Sequence, residues 1–280
     1  MQTASNAEAF FLDAADGKRF CIFHAVDQAT QCRGAVLFVP AFGEEMNKSR
    51  RMLALQARVL AQHGFASLLI DLHGCGDSDG DLRDASWDSW KNDISLAHSW
   101  LQQRCTAPVS LLGLRLGAIL ALDFICNDNA PVHRLIMWQP VLNGQQFLTQ
   151  FYRVQIANAM LNNSNESGGG TKAIRQLLAQ GEVVEIAGYE ISPKLSATID
   201  ALNAHNFLPK NISLHWFEIQ TEIDDHLSPA KQKIVNFWKA NQSQIQLHKF
   251  SGAEFWATQE VSTNADLIGL TSALLTQTSS

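Results

Sequence analysis

The chain has 280 residues, 46% of them hydrophobic and 17% charged, which suits one large α/β domain or two small ones and gives enough apolar side chain for a sizeable core. A formal net charge of −6, with no run of Lys or Arg, speaks against a nucleic-acid partner. Five cysteines, odd in number and without a Cys-x-x-Cys pair, signal neither a disulfide framework nor a zinc site, and nothing in the sequence calls for another metal or a cofactor.

Met1–Ala9 is polar and carries no secretory leader pattern, and no apolar run approaches the roughly 18–20 residues of a membrane span. A cytoplasmic protein is expected. Strand-like runs at Phe20–Val26 and Ala35–Val39 follow hairpin-like material at the start. Met52–His63 carries Leu53, Leu55, Val59 and Leu60 at helical spacing and closes at Gly64. A buried-type strand at Ala66–Ile70 ends at Asp71, and Trp87–Gln103 reads as a helix through Trp90, Ile94, Ala97 and Leu101.

Val109–Leu112 is the next strand, then Gly113-Leu114-Arg115-Leu116-Gly117, then a helix to about Cys126 and a strand at Leu135–Trp138. Between Pro140 and Pro209 the alternation breaks into helical pieces (Phe147–Leu161, Ala173–Ala179, Leu195–Ala204) around the loop Asn162–Gly170. It resumes with a strand at Ile212–Ile219, a helix at Pro229–Ala240, a strand at Ile245–Phe250 and a last helix at Gln259–Thr276. Such alternation implies one α/β domain over residues 1–280, built on a mostly parallel, doubly wound sheet. Residues 141–209 are then a helical cap inserted over the C-terminal strand ends, where ligands bind.

Three stretches carry a resemblance to the α/β-hydrolase superfamily: Val39-Pro40-Ala41-Phe42-Gly43, the loop Asp71-Leu72-His73-Gly74-Cys75-Gly76-Asp77-Ser78-Asp79-Gly80, and the glycine-framed turn at 113–117. The last has the frame of a nucleophile elbow, Gly-x-Ser-x-Gly, where a sharp strand-to-helix turn lifts a nucleophile above the sheet. The Arg-centred elbow and the run Glu44-Glu45-Met46-Asn47-Lys48-Ser49-Arg50-Arg51 further resemble the group called exosortase A system-associated hydrolase 2, named for bacterial neighbourhoods that export exopolysaccharide. The resemblance implies hydrolysis, and it implies an order of nucleophile, acid and His.

The residues depart from that implication. Arg115 stands at the nucleophile position, and a guanidinium has donors, no acceptor and no accessible deprotonation. Asp225, in Asp225-His226-Leu227-Ser228-Pro229, fits the acid, with Asp224 one residue away. Phe255 takes the His position between Glu254 and Trp256, and a phenyl ring moves no proton. Two of three catalytic roles are vacant. A relocated Cys75–His73 pair on the Asp71–Gly80 loop, where Ser78 also lies, is the alternative route to hydrolysis or acyl transfer on a small ester, thioester or amide.

Arg115 has two open readings. With the Leu116 amide and an amide from Ala41 or Phe42 it can hold a small anionic or acyl ligand under the cap, flanked by His73 and His226. Otherwise Glu44, Glu45 or Asp225 pairs with it, because a buried Arg without a carboxylate is costly. The expectation is a non-catalytic member of an export or polysaccharide system, with a protein partner as a further possibility and the internal ion pair as the resting state.

Overall fold

The computed structural model describes residues 7–26, 31–128, 130–161, 170–220 and 227–277, with the backbone alone over 154–161. Two antiparallel strands open the chain, β1 (Ala7–Ala14) and β2 (Gly17–His24). Then come β3 (Gly34–Val39), α1 (Glu44–Gln62), β4 (Phe65–Ile70), α2 (Trp87–Arg104), β5 (Val109–Leu114), α3 (Leu116–Asn127) and β6 (Arg134–Trp138). The segment that follows holds α4 (Gly144–Leu161), α5 (Gly170–Ala179), a small hairpin of β7 (Val184–Ile186) and β8 (Tyr189–Ile191), and α6 (Pro193–Ala201). The chain closes with β9 (Ser213–Gln220), α7 (Pro229–Ala240), β10 (Gln244–Ser251) and α8 (Ala265–Thr276).

Eight strands form one sheet in the order β1-β2-β4-β3-β5-β6-β9-β10. Pairing is antiparallel for β1–β2 and β2–β4 and parallel from β4 to β10. The central strands β3, β5 and β6 are buried along their whole length, as apolar runs without alternation require when helices cover both faces. One face packs Met52, Leu53, Ala57 and Leu60 of α1 with Leu267 and Leu275 of α8, and the other packs α2, α3 and α7. The strands' C-terminal ends therefore share one edge, and the β5–α3 turn sits at its middle.

Several boundaries shift for physical reasons. Helix α1 begins at Glu44 rather than Met52, because its first two turns bury only Met46 and Ser49 and so lack an apolar stripe. Helix α8 begins at Ala265 rather than Gln259, where Asn264 accepts from the Leu267 N–H and caps it. Ser192 caps α6 in the same way, moving its start to Pro193. The β7–β8 hairpin is too short to register as a sequence pattern. Most of the Asn162–Gly170 loop lies outside the described residues.

Burial sets the acid behaviour of the sheet's open end. His215 on β9 is pushed down to about 4 from its ordinary 6.5 by burial, with His248 and Arg134 adding repulsion. The unfolded chain takes up that proton near 6.5 and the folded chain only near 4, so the unfolded state binds more protons between these values and stability falls as pH drops through that window. Thermal midpoints measured from pH 7 to 4 should decline, and His215→Gln should flatten part of the slope; an unchanged slope would contradict this assignment.

Candidate functional site

The turn between β5 and α3 is built by close approach. A Cβ on Gly113 would lie 2.5 Å from Ala118 Cα, and one on Gly117 would lie 2.2 Å from the Pro40 carbonyl oxygen. Only glycine fits either position, so α3 is drawn tight against β5 and the loop after β3. The residue between them pays in backbone strain: Arg115 has φ 54° and ψ −116°, a conformation rare for a residue with a side chain. Its N–H donates to the Trp138 carbonyl at 3.0 Å and its carbonyl accepts from Val141 N–H at 3.1 Å, which staples the turn to the end of β6.

The guanidinium that this turn lifts is held from two sides. Nε donates to Glu45 Oε1 at 3.0 Å and Nη2 lies 3.0 Å from the same oxygen, so the internal partner is Glu45 on the first turn of α1. The Trp256 ring lies under the guanidinium, 5.4 Å from its carbon to the ring centroid, within cation–π range. Nη1 has one long contact, 3.4 Å to the Gln139 carbonyl. The side chains of Arg115 and Glu45 are 16% and 23% exposed, so the pair is screened only in part. Burial raises the Glu45 carboxyl above its usual range, the Arg115 charge opposes that rise and Glu254 adds to it. Glu45 Oε2 is buried and has no hydrogen-bond partner among the described residues.

Phe255 is 0% exposed and packs edge-on against Trp138 and Trp256 in the core beneath α8. Nothing at that position can exchange a proton with the turn. Asp224, Asp225 and His226 lie outside the described residues.

Other expected site residues stand elsewhere. Glu44 does not pair with Arg115; its Oε2 accepts from Asn47 at 3.3 Å and Tyr189 at 3.4 Å, because successive helical residues point in different directions. His73 does not approach the elbow. Its Nδ1 lies 3.3 Å from Asp16 Oδ2, and its backbone N–H donates to Asp93, whose other oxygen accepts from the buried Arg19. Ser78 is a turn staple, donating to the Asp71 carbonyl and accepting from Phe20 N–H. Cys75 is pushed up to about 12 by burial with Asp71 and Asp93 nearby, the reverse of an activated thiol. No hydrogen bond joins it to His73 among the described residues. The alternative Cys75–His73 pair is not joined here, because the loop's polar groups fold inward to satisfy its own backbone.

Ala41, Phe42 and Leu116 line a void of about 10 Å³ together with Cys75 and Trp90, space for at most one water. It is closed from outside by rings: Phe42 contacts Trp90, Phe147, Phe151 and Tyr189 with centroid separations of 5.2–6.5 Å. A chamber of about 440 Å³, with Arg115 in its lining, lies toward the end of β6 and the start of α7. No sequence signal marks this chamber beyond a polar Gln139 ending the apolar strand before Pro140. Trp256 was within reach only as a neighbour of Phe255. Among the described residues no cluster of three or more His, Cys, Asp or Glu is placed to hold a metal.

The Arg115–Glu45 pair should be measurable as a coupling. Glu45→Ala should cost about 1–3 kcal/mol in urea denaturation by removing the carboxylate that pairs with the guanidinium. In the Glu45→Ala/Arg115→Met double variant the loss should be smaller than the two single losses summed; simple additivity would mean that the pair contributes nothing.

The family model described as serine aminopeptidase, S33 matches residues 29–208. No curated protein matches the chain. Among solved structures it is similar to the ferulic-acid-bound Est1E from Butyrivibrio proteoclasticus, at 13% identity with 96% of each chain covered and a TM-score of 0.62. It is also similar to a thermostable carboxyl esterase from Bacillus coagulans, at 11% identity with 98% of each chain covered and a TM-score of 0.66. A monoglyceride lipase from Saccharomyces cerevisiae aligns at 16% identity over 98% of this chain and 96% of its own, with a TM-score of 0.63. These identities speak to the fold alone. With the family match spanning well over half its length, and with its strand order and glycine-framed turn, the chain belongs to the serine aminopeptidase S33 family of α/β-hydrolases.

Proposed function

We propose that this chain is a non-hydrolysing member of its family, a protein whose former nucleophile site binds a ligand and cleaves nothing. One observation carries the reading: the group at the elbow is a guanidinium clamped between Glu45 and Trp256, where acyl transfer needs an oxygen or sulfur nucleophile. Two others support it. Phe255, which the resemblance aligns with the His position, is a buried phenyl ring that moves no proton. The space beside Ala41, Phe42 and Leu116 is too small for an acyl group.

In this reading residues 141–209 form a cap, and its support is the packing of Phe147, Phe151 and Tyr189 over Phe42. The ligand is a small anionic molecule held beside Arg115. The setting we propose, a cytoplasmic role beside a bacterial exosortase or exopolysaccharide system, rests on the resemblance carried by the Arg-centred elbow and the Glu44–Arg51 run. No helix among the described residues is long and apolar enough to cross a membrane.

Hydrolysis by relocated residues needs a thiolate or alkoxide. At a pKa of about 12 Cys75 supplies on the order of one thiolate in 10⁵ at neutral pH. A panel of p-nitrophenyl esters and small thioesters should therefore be turned over at the buffer rate, and Arg115→Ser should leave that rate unchanged, since a serine without a base is unactivated. Turnover well above buffer that disappears in Cys75→Ala would overturn the reading.

A further inference from the structure

Three carboxamides in the lining of the 440 Å³ chamber share one hydrogen-bonding sense, beside the two-way groups of Gln146, Gln150, His205 and Ser228. Gln139, Asn143 and Asn203 each turn the side-chain oxygen onto a backbone N–H: Gln139 Oε1 accepts from Ile219 at 2.7 Å, Asn143 Oδ1 from Gln146 at 2.8 Å, and Asn203 Oδ1 from His205 at 3.0 Å. A backbone N–H can only donate, so the orientation of all three carboxamides is set and their NH₂ groups are what remain. None of those NH₂ groups donates a hydrogen bond among the described residues.

The charged groups agree with them. Among the described residues Arg115 gives Nε and Nη2 to Glu45 and leaves Nη1 with its single 3.4 Å contact, so the ion pair occupies one edge of the guanidinium and not the other. Lys231 is paired with the buried Glu218, whereas Lys233 is in no ion pair among the described residues. None of the described lining residues is acidic. Guanidinium, ammonium and amide NH₂ donate and do not accept. Backbone strain gathers here too, with Arg115 at φ 54° and Gln139 at φ 44° on adjoining walls.

We infer that this chamber binds an oxyanion-bearing, acceptor-rich molecule of about monosaccharide size, with Arg115 as the anion anchor and Gln139, Asn143 and Asn203 donating to its other oxygens. Its volume of about 440 Å³ falls within the range of roughly 300–1,000 Å³ typical of small-molecule sites and far exceeds what a lone inorganic ion fills. A carboxylate and a phosphoryl group meet the same donors equally well, so the shared feature is the oxyanion. The inference deepens the proposed function and rests on it only in taking the elbow as a binding centre.

Calorimetric titration of the full chain with D-glucuronate, glucose 6-phosphate and glucose tests the assignment. One or both anions should bind, with uncharged glucose at least about tenfold weaker, and the better anion identifies carboxylate or phosphoryl. Asn143→Asp and Asn203→Asp keep an oxygen on each backbone N–H while replacing the donor by a negative oxygen. Each should weaken anion binding about tenfold or more with the thermal midpoint unchanged, and Arg115→Gln should remove it. Failure of both anions to bind at millimolar concentration, or affinity indifferent to both Asn→Asp changes, would overturn the assignment. Ester turnover measured in the same preparations separates the two ideas. Turnover would sink the non-hydrolysing reading alone, and lack of both binding and turnover would sink the anion site alone.

Discussion

The contact between Gly117 and the Pro40 carbonyl governs much of what happens at this site. With no Cβ in the way, α3 seats directly on the loop leaving β3, and Gly113 lets the same helix close onto β5. That double approach dictates the backbone of Arg115, whose side chain must then rise above the sheet edge whatever it is chemically. The scaffold of the turn and the reactivity of its central side chain are thus separable. This chain retains the first while carrying a residue that has no use for the second.

Such a positive charge needs neighbours, and they come from three directions. Glu45 reaches over from α1, Trp256 rises from the segment after β10, and the Gln139 carbonyl closes the side at β6. The pair is not a perfect match, since Glu45 is raised by burial and then by Glu254, and one of its oxygens has no hydrogen-bond partner among the described residues. Burial of such groups is tolerable because each keeps at least one charge-assisted contact. Aromatic rings pack around Phe42 on one side, and a chamber of about 440 Å³ opens beside the guanidinium.

Much of this was legible in the residues. The strand–helix alternation fixes the doubly wound sheet, and the glycines at 113 and 117 mark the turn, because these signals depend on local sterics and periodicity. The choice of Glu45 over Glu44 was not legible, since it depends on where α1 begins, and that start is hidden in a polar stretch with only Met46 and Ser49 buried. His73 misled for a related reason: its loop position suggested the elbow, while Asp16 and Asp93, distant in sequence, draw it inward. The chamber was invisible because its walls come from four separate segments, and its donor bias arises only when Ile219, Gln146 and His205 present their amides to carboxamide oxygens.

Phe255 has an implication for the history open to this molecule. Its ring is part of the hydrophobic core shared with Trp138, Trp256 and Leu267, not a plug resting at the mouth of a pocket. Restoring an imidazole there would bury a polar ring without a ready partner, at a cost of about 1–3 kcal/mol, before any chemistry returned. An intermediate with serine at the elbow and phenylalanine in the core gains nothing, and one with histidine in the core and arginine at the elbow loses stability. A serine–histidine pair at these two positions would therefore need two coupled changes, one on the strained turn and one inside the packed core.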